Sequence, residues 1–405
     1  MAFDDIAEDI RLARSRHSSR PAMLRGLKVP YFRRGEMAVP AFTMDPGGDP
    51  SREGRARSLA VMGKAASFGA DLVFFDLEDA SPDHPEYKAW ARTFTVEALR
   101  TFDFGGKVVG FRPNNIRSEY FEEDLIQVLG RAGHRLDVVI LPKTEYAEEV
   151  ADAAGFIRRI LERGGHGRRL RLEVLIESPR AFLEAERIAA MGDVTALILG
   201  AWDLARTIGG RVDRETWTLD QACVRQQLPV VAASCGKEAV DAITGVLPIR
   251  PPVPGGMGPE EYSRALALTA EGLDDAGITG EFGDRLRSRR AAMETAAAEA
   301  RSARRCGYAA KWILHPDQIG PIQDAWTPTR ESALEALRLA VGFVSSRAAG
   351  MAVAVRGNLL ADKAVVGTEW WTVESALRGG TLTEKDINDT GCAADELRRA
   401  LMALS

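Results

Sequence analysis

The chain has 405 residues with a formal charge of −5, 45% hydrophobic and 27% charged side chains, the balance of an ordinary soluble globular protein with a sizeable core. A slight excess of acid gives no global reason for binding nucleic acid or an anionic membrane, which needs surplus Lys and Arg. No apolar run reaches the roughly 18 residues of a membrane span, and an N-terminus carrying Asp4, Asp5, Glu8 and Asp9 is unlike a leader peptide, so a cytoplasmic protein is expected.

Short apolar, β-branched runs recur along the chain: Met37 to Phe42, Leu72 to Leu77, Val108 to Phe111, Val138 to Leu141, Leu172 to Ile176, Ala196 to Leu199, Ala239 to Val246 and Trp312 to Leu314. Segments with helical spacing of apolar residues lie between them, including Ala56 to Phe68, Tyr120 to Arg131, Tyr146 to Glu162 and Arg180 to Met191. Strand alternating with helix predicts a parallel sheet with crossover helices. The nearly continuous apolar strands fit either an open doubly wound sheet or a closed (β/α)8 TIM barrel. A count of eight, with the polar residues described next, favours the barrel.

Residues 1–30 are read as an N-terminal helical extension, 31–327 as the barrel and 328–405 as a C-terminal helical lid or oligomerisation segment. The long stretch between the last two strands, about 248–307, opens with the proline-rich Pro248 to Gly256 and runs into a charged, Ala-rich helix around Arg285 to Arg305. It is expected to be an insertion at the barrel rim. Cys223, Cys235, Cys306 and Cys392 lack metal or redox spacing and are read as free thiols.

The chemistry is written at the strand ends. Strand two closes on Asp76-Leu77-Glu78-Asp79, strand three on Arg112-Pro113-Asn114, strand four on Lys143 and strand five on Glu177. Strand six closes on Gly200-Ala201-Trp202-Asp203 and strand eight on His315. In a parallel barrel these ends converge on one mouth. A single charge at a strand end is usually solvated or caps the next helix, but Glu177 follows Val174-Leu175-Ile176, and a carboxylate buried there demands a partner. Glu177 and Asp203 on adjacent strands offer two carboxylates to a hard divalent cation, leaving positions for water and a chelating α-keto or α-hydroxy acid. Magnesium suits such an incomplete oxygen cage; zinc does not, for want of a His/Cys cluster. Arg112 can hold an enolate oxygen or a carboxylate with its guanidinium fork, or form a buried salt bridge to Asp76 or Glu78, or both.

The series D-L-E-D-A, then Lys88 and Ala91-Arg92, R-P-N, L-P-K, I-E-S, G-A-W-D-L and H-P-D-Q-I, spread over roughly Arg34 to Gln318, resembles the citrate lyase β-subunit, malyl-CoA lyase and HpcH/HpaI aldolase group. The resemblance implies a (β/α)8 barrel whose C-terminal lid helps to cover a neighbouring subunit in a homotrimer or homohexamer. It implies a Mg2+-dependent carbon–carbon lyase acting on a β-hydroxyacyl thioester of the malyl-CoA or citramalyl-CoA type, with a small α-keto acid as co-product.

On that resemblance Glu177 and Asp203 are the metal carboxylates and Arg112 the catalytic arginine. Asp76 and Glu78 orient Arg112 and the metal's waters, while Arg34 and Lys143 join Arg112 in binding substrate. The arginine runs Arg158-Arg159, Arg168 to Arg171 and Arg285 to Arg290 could meet the phosphates of CoA, or be solvated faces.

The chain departs from the pattern in three places. The first-strand motif, usually closing Pro-Gly, reads Pro40-Ala41. The 248–307 stretch is long. Arg356 stands where the family carries its acid/base aspartate, leaving Asp362 or another group to serve. A CoA-independent hydroxy-keto-acid aldolase, a malyl-type thioesterase and a catalytically silent ligand-binding barrel are the alternatives.

Overall fold

The computed structural model describes residues 32–402, apart from 46, 168, 214–216, 352, 357 and 358. The expected helical extension at 1–30 lies outside the described residues. By contacts the chain divides into two compact units, Val29–Trp326 and a second that contains Thr327–Ser405.

The first unit is a closed barrel of eight parallel strands in sequential order: β1 (Gly35–Pro40), β2 (Leu72–Asp76), β3 (Val108–Arg112), β4 (Val138–Leu141), β5 (Arg171–Ile176), β6 (Val194–Leu199), β7 (Glu238–Asp241) and β8 (Ala310–Ile313). Closure is made by β1 against β8, with Gly35 opposite Lys311 and Met37 opposite Ile313. The helices of the barrel are α1 (Arg55–Ser67), α2 (Pro85–Thr101), α3 (Phe121–Ala132), α4 (Ala147–Arg163), α5 (Pro179–Ala189), α6 (Ala201–Thr207) and α7 (Ala222–Ser234). Helix α5 shows how locally these starts are written: Ser178 caps it by accepting from Ala181 N–H at 3.1 Å, and Pro179 supplies a first-turn residue that needs no donor.

Period-two alternation splits the strands between two cores. Val73, Phe75, Val109, Phe111, Val139, Val174, Ile176 and Leu197 face outward into one large cluster with the helices. Leu72, Phe74, Val108, Ile140, Leu175, Ile198, Val240 and Trp312 face inward and fill the barrel. The barrel is therefore plugged, and a ligand can enter only above this plug.

Strand β7 ends at Asp241, short of the Val246 expected from hydrophobicity. Residues 242–248 instead form a rim loop pinned by side chains: Thr244 Oγ1 donates to Glu299 Oε2 at 2.6 Å, and Gln318 Nε2 donates to the Val246 carbonyl at 3.1 Å. The expected insertion also resolves differently. Its charged part belongs to one 27-residue helix, α10 (Gly280–Cys306), which is the crossover into β8 and ends on Gly307 in the left-handed region at φ 98°. Only the proline-rich loop and two short helices, α8 (Pro259–Ala267) and α9 (Ala270–Asp275), are extra. Arg250 and Arg289 converge on Asp317, at 2.5 and 2.7 Å, and tie this segment to the turn after β8.

The second unit is built from α11 (Arg330–Ala348), a two-stranded antiparallel ribbon of Ala354–Arg356 and Leu359–Ala361, α12 (Lys363–Arg378) and two shorter helices. Its core gathers Leu337, Phe343, Val366, Val373, Leu382, Ile387 and Leu397. The departure at Arg356 falls on the ribbon's first strand. Asp362, just beyond the second, accepts from Val365 N–H at 3.0 Å and so caps the start of α12.

Candidate active site

Parity aims the strand-end residues. Asp76, Arg112 and Glu177 each lie an even number of residues beyond an inward-facing position of the same strand, so all three point up the barrel axis above the plug. Asp76 and Arg112 are also register partners on β2 and β3. Their side chains make a two-bond fork, Nε to Oδ1 at 2.8 Å and Nη2 to Oδ2 at 2.5 Å. Asp76 is fixed in turn by the backbone N–H groups of Glu78 and Ala80, at 3.0 and 3.3 Å. The Arg112 guanidinium lies 5.3 Å from the centroid of the Trp312 ring, which forms the floor beneath it. Its remaining nitrogen reaches Glu78 Oε2 at 3.3 Å and Asp79 Oδ2 at 3.4 Å. With three acids around it, its pKa is raised despite complete burial. Of the two roles foreseen for Arg112, the buried salt bridge is present: its guanidinium is bonded to Asp76, Glu78 and Asp79.

The acidic loop after β2 is held from behind. Lys88 Nζ donates to the carbonyls of Leu77 at 2.6 Å, Glu78 at 2.7 Å and Ser81 at 3.2 Å. The Arg112-Pro113-Asn114 turn is fixed by Asp124, whose Oδ2 accepts from the Asn114 backbone and side chain at 2.8 and 2.7 Å while Oδ1 meets Arg92 at 3.1 Å. This buried support explains why Lys88 and Arg92 accompany the motif.

Lys143 is the link between the acidic loop and Glu177. It is the one non-glycine residue with positive φ among the described residues, at 49°. That conformation lets its backbone N–H donate to Glu177 Oε1 while Nζ reaches back to Glu78 Oε1 and, at 2.9 Å, Asp79 Oδ1. The two carboxylates raise the ammonium's pKa.

Glu177 is almost fully buried. Loss of solvent, the main cause, together with the charges of Asp203 and Glu78 raises its carboxyl to about 8, against the opposing pull of the Lys143 amide and Arg112. Burial likewise lifts Glu78 to about 7. The residue opposite Glu177 on β6 is Gly200, where an added Cβ would lie 2.3 Å from the Glu177 Cβ. Only glycine leaves the carboxylate room, a requirement legible from the strand register and absent from the strand-end reading. Asp203 stands in the first turn of α6, partly exposed and 2.6 Å from Arg206.

Crowding acids in a desolvated pocket is costly without a cation. Glu177 has no ion-pair partner among the described residues. Two carboxylates of this kind suit a hard divalent cation: Glu177 and Asp203 would hold it, with water and substrate oxygens filling the remaining positions, although no group of three or more His, Cys, Asp or Glu that could hold a metal occurs among the described residues.

Of the sequence-predicted residues, Asp76, Glu78, Arg112, Lys143, Glu177 and Asp203 meet at the mouth. Arg34 does not. It precedes β1, at the opposite end of the barrel, where its backbone and side chain grip Asp71 before β2 at 2.8 Å. Its expected substrate contact is therefore corrected to a structural ion pair. Arg158 and Arg169 pair with Asp193 before β6, again at the far end, and Arg285 and Arg287 pair with acids along α9 and α10. His315 caps the turn after β8, its Nδ1 accepting from Asp317 N–H at 3.1 Å.

Residues 55–247, containing six of the eight strands, match the HpcH/HpaI aldolase/citrate lyase family. The HpcH/HpaI aldolase/citrate lyase match is to that segment of the barrel, with β1 and β8 outside it. Among curated relatives, an L-malyl-CoA/β-methylmalyl-CoA lyase of Cereibacter sphaeroides is 27% identical over 76% of this chain and 87% of its own length. A (3S)-malyl-CoA thioesterase of the same species is 32% identical over 36% of this chain and 47% of its own.

Two solved structures share the fold. A citrate lyase from Burkholderia xenovorans superposes with a TM-score of 0.64 at 16% identity over 90% of this chain and 96% of its own. The Mycobacterium tuberculosis CitE protein, in complex with magnesium, acetoacetate and coenzyme A, gives 0.54 at 21% over 85% and 98%. The domain's lyase relatives place the chain among carbon–carbon lyases. No described helix is long and apolar enough to cross a membrane.

Proposed function

We propose that the protein is a magnesium-dependent lyase that cleaves or forms a β-hydroxyacyl thioester of CoA, of malyl-CoA or citramalyl-CoA type, releasing or consuming a small α-keto acid. The observation that carries this reading is a buried carboxylate without an ion-pair partner among the described residues, Glu177, with Asp203 close enough to raise its pKa, at the same mouth as a buried arginine fork held rigid by Asp76. The lyase relative matched over most of both chains supplies the substrate class.

Magnesium, when bound, would polarise the oxygen of the keto-acid fragment. The chain's own residues do the rest. Glu177 and Asp203 orient that fragment. Arg112, already aimed by Asp76 and stacked over Trp312, stabilises the enolate oxygen that develops on the thioester fragment as the carbon–carbon bond breaks, without reorganising at that moment. Glu78 and Lys143 keep the acidic loop closed against the fork, and the desolvated floor strengthens each of these interactions.

Thioester hydrolysis is the second reading, favoured by the local match to the thioesterase and by Arg356 in place of the family's acid/base aspartate. One assay separates the two. Purified protein with magnesium and malyl-CoA or citramalyl-CoA is followed for keto acid, trapped as its hydrazone, and for free CoA thiol. The lyase reading expects keto acid without thiol, abolished by EDTA and by Asp203→Ala. Thiol release without keto acid would establish the hydrolase instead, and silence on both substrates would sink the proposed chemistry.

A further inference from the structure

Three acids stand around Arg112, and they are held very differently. Asp76, with 2% side-chain exposure, takes two bonds from the guanidinium and is fixed from behind by two backbone N–H groups. Glu78, with 5% exposure, is tied through Oε1 to Lys143. Asp79 is 52% exposed and makes the longest contact of the three, Oδ2 to Nη1 at 3.4 Å. Its other oxygen, Oδ1, accepts from Lys143 Nζ at 2.9 Å. One carboxylate therefore spans two cations, an oxygen to each, at the solvent side of the cluster.

An incoming oxygen can reach Arg112 Nη1 only where Glu78 or Asp79 gives way. Asp79 is the one able to do so. Lys88 Nζ holds the carbonyls of Leu77, Glu78 and Ser81, on either side of Asp79, so the loop keeps its place while the Asp79 side chain rotates to water. An ion pair with a half-exposed partner is held weakly, whereas breaking a buried one is costly.

We infer that Asp79 is an internal competitor for the substrate: its carboxylate occupies the place across Arg112 Nη1 and Lys143 Nζ that the enolate-forming oxygen of the thioester fragment takes, and it rotates out when that fragment binds. The inference rests on the proposed lyase site and adds to it a gate with a stated occupant. The place has room for a carboxylate because one is already there. Displacing that carboxylate with a neutral thioester oxygen is uphill, so the binding energy of the rest of the substrate drives the exchange. The opened cations then regain a full partner only as negative charge develops on the oxygen, which favours the transition state over the bound substrate.

Acetate reproduces both the Asp79 side chain and the charged enolate of an acetyl group, and it binds without metal or turnover. The test titrates acetate into metal-free, full-length protein in chloride-free buffer and follows it by saturation-transfer difference NMR. The proteins are wild type, Asp79→Asn, Glu162→Gln and the double variant Asp79→Asn with Lys143→Met. Glu162 is an exposed acid near the end of α4, at the far end of the barrel, and its variant changes net charge by the same amount as Asp79→Asn. A site closed by its own side chain loses apparent affinity in proportion to its open fraction. Asp79→Asn should therefore tighten acetate binding at least about threefold, an open fraction of about one third or less in the wild type. Glu162→Gln should match the wild type, and the double variant should lose the gain.

A gain below about threefold overturns the inference. So does an equal gain in Glu162→Gln, which would make it an effect of net charge, or a gain that survives loss of the Lys143 ammonium, which would put the acetate elsewhere. Should the double variant fail to fold, Asp79→Asn against Glu162→Gln decides. If keto-acid release is absent while the acetate gain appears, the lyase reading falls and a gated carboxylate site remains; release without the gain leaves the lyase reading standing and sinks the inference alone.

Discussion

The barrel holds buried charge at both ends, and the two ends solve the same electrostatic problem in opposite ways. At the N-terminal end Arg33, with no side-chain exposure, is shared by Glu36, Glu173 and Glu238, the Glu173 contact measuring 3.0 Å, and Trp312 Nε1 donates to Glu36 at 2.8 Å. The cation is built into the chain. At the C-terminal end Glu177 receives a backbone N–H and no cation of its own, and its carboxyl is driven up to about 8. A carboxylate cluster that brings its own arginine is architecture, whereas one left short of a cation beside an arginine fork is equipped to receive something from outside.

The largest effect expected from this contrast is Arg33→Ala, which strands three carboxylates in the barrel. Removing one partner of a buried ion pair costs about 3–5 kcal/mol. Urea unfolding should register that loss while kcat per folded molecule stays near wild type. A large fall in kcat would show that the two ends are coupled.

Arg112→Lys tests the opposite end. Lysine keeps the charge but cannot reproduce the fork to Asp76, so kcat should fall about 100–1,000-fold, with a smaller change in KM. A variant retaining more than a tenth of wild-type kcat would remove Arg112 from the reaction. Smaller still is Gly200→Ala: the new methyl meets the Glu177 Cβ, and overpacking of this kind costs about 1–3 kcal/mol. Magnesium affinity should drop alongside it. Normal affinity would mean that Glu177 can shift without consequence for the metal.

The sequence announced the mouth more clearly than the floor. Strand-end charges following apolar runs stand out one by one, and six of them converge. Glu36, Glu173 and Glu238 passed unnoticed because each sits singly inside or at the start of a strand and acquires meaning only when closure brings it to Arg33. Arg34 shows the converse error. Its distance in sequence from Pro40 resembled a motif, but the rise of an extended strand puts those six residues about 20 Å apart, the full height of the barrel. The early end of β7 was also hidden, since Ala242 and Ile243 read as strand while Thr244 is diverted by Glu299, a partner 55 residues on. Hydrophobic period reports which residues are inside; it is silent about side-chain bonds made across long loops.

A last test is a slope, and it bears most directly on a cation at Glu177. In metal-free protein the Glu177 carboxyl, raised from an ordinary 4.5 to about 8, keeps in the folded state a proton that the unfolded chain releases. Stability from this group is complete below 4.5 and is lost as pH rises through about 8, and Glu78, raised to about 7, tilts the curve the same way. The melting temperature of metal-free protein should therefore decline from pH 5 to 8.5, and Glu177→Gln should remove much of that decline. Magnesium competes with the same proton, so its apparent affinity, measured calorimetrically, should rise by up to about tenfold per pH unit between 6 and 8. An affinity flat across that range would mean that Glu177 is ionised before the metal arrives, and the mouth would then resemble the floor more than its geometry suggests.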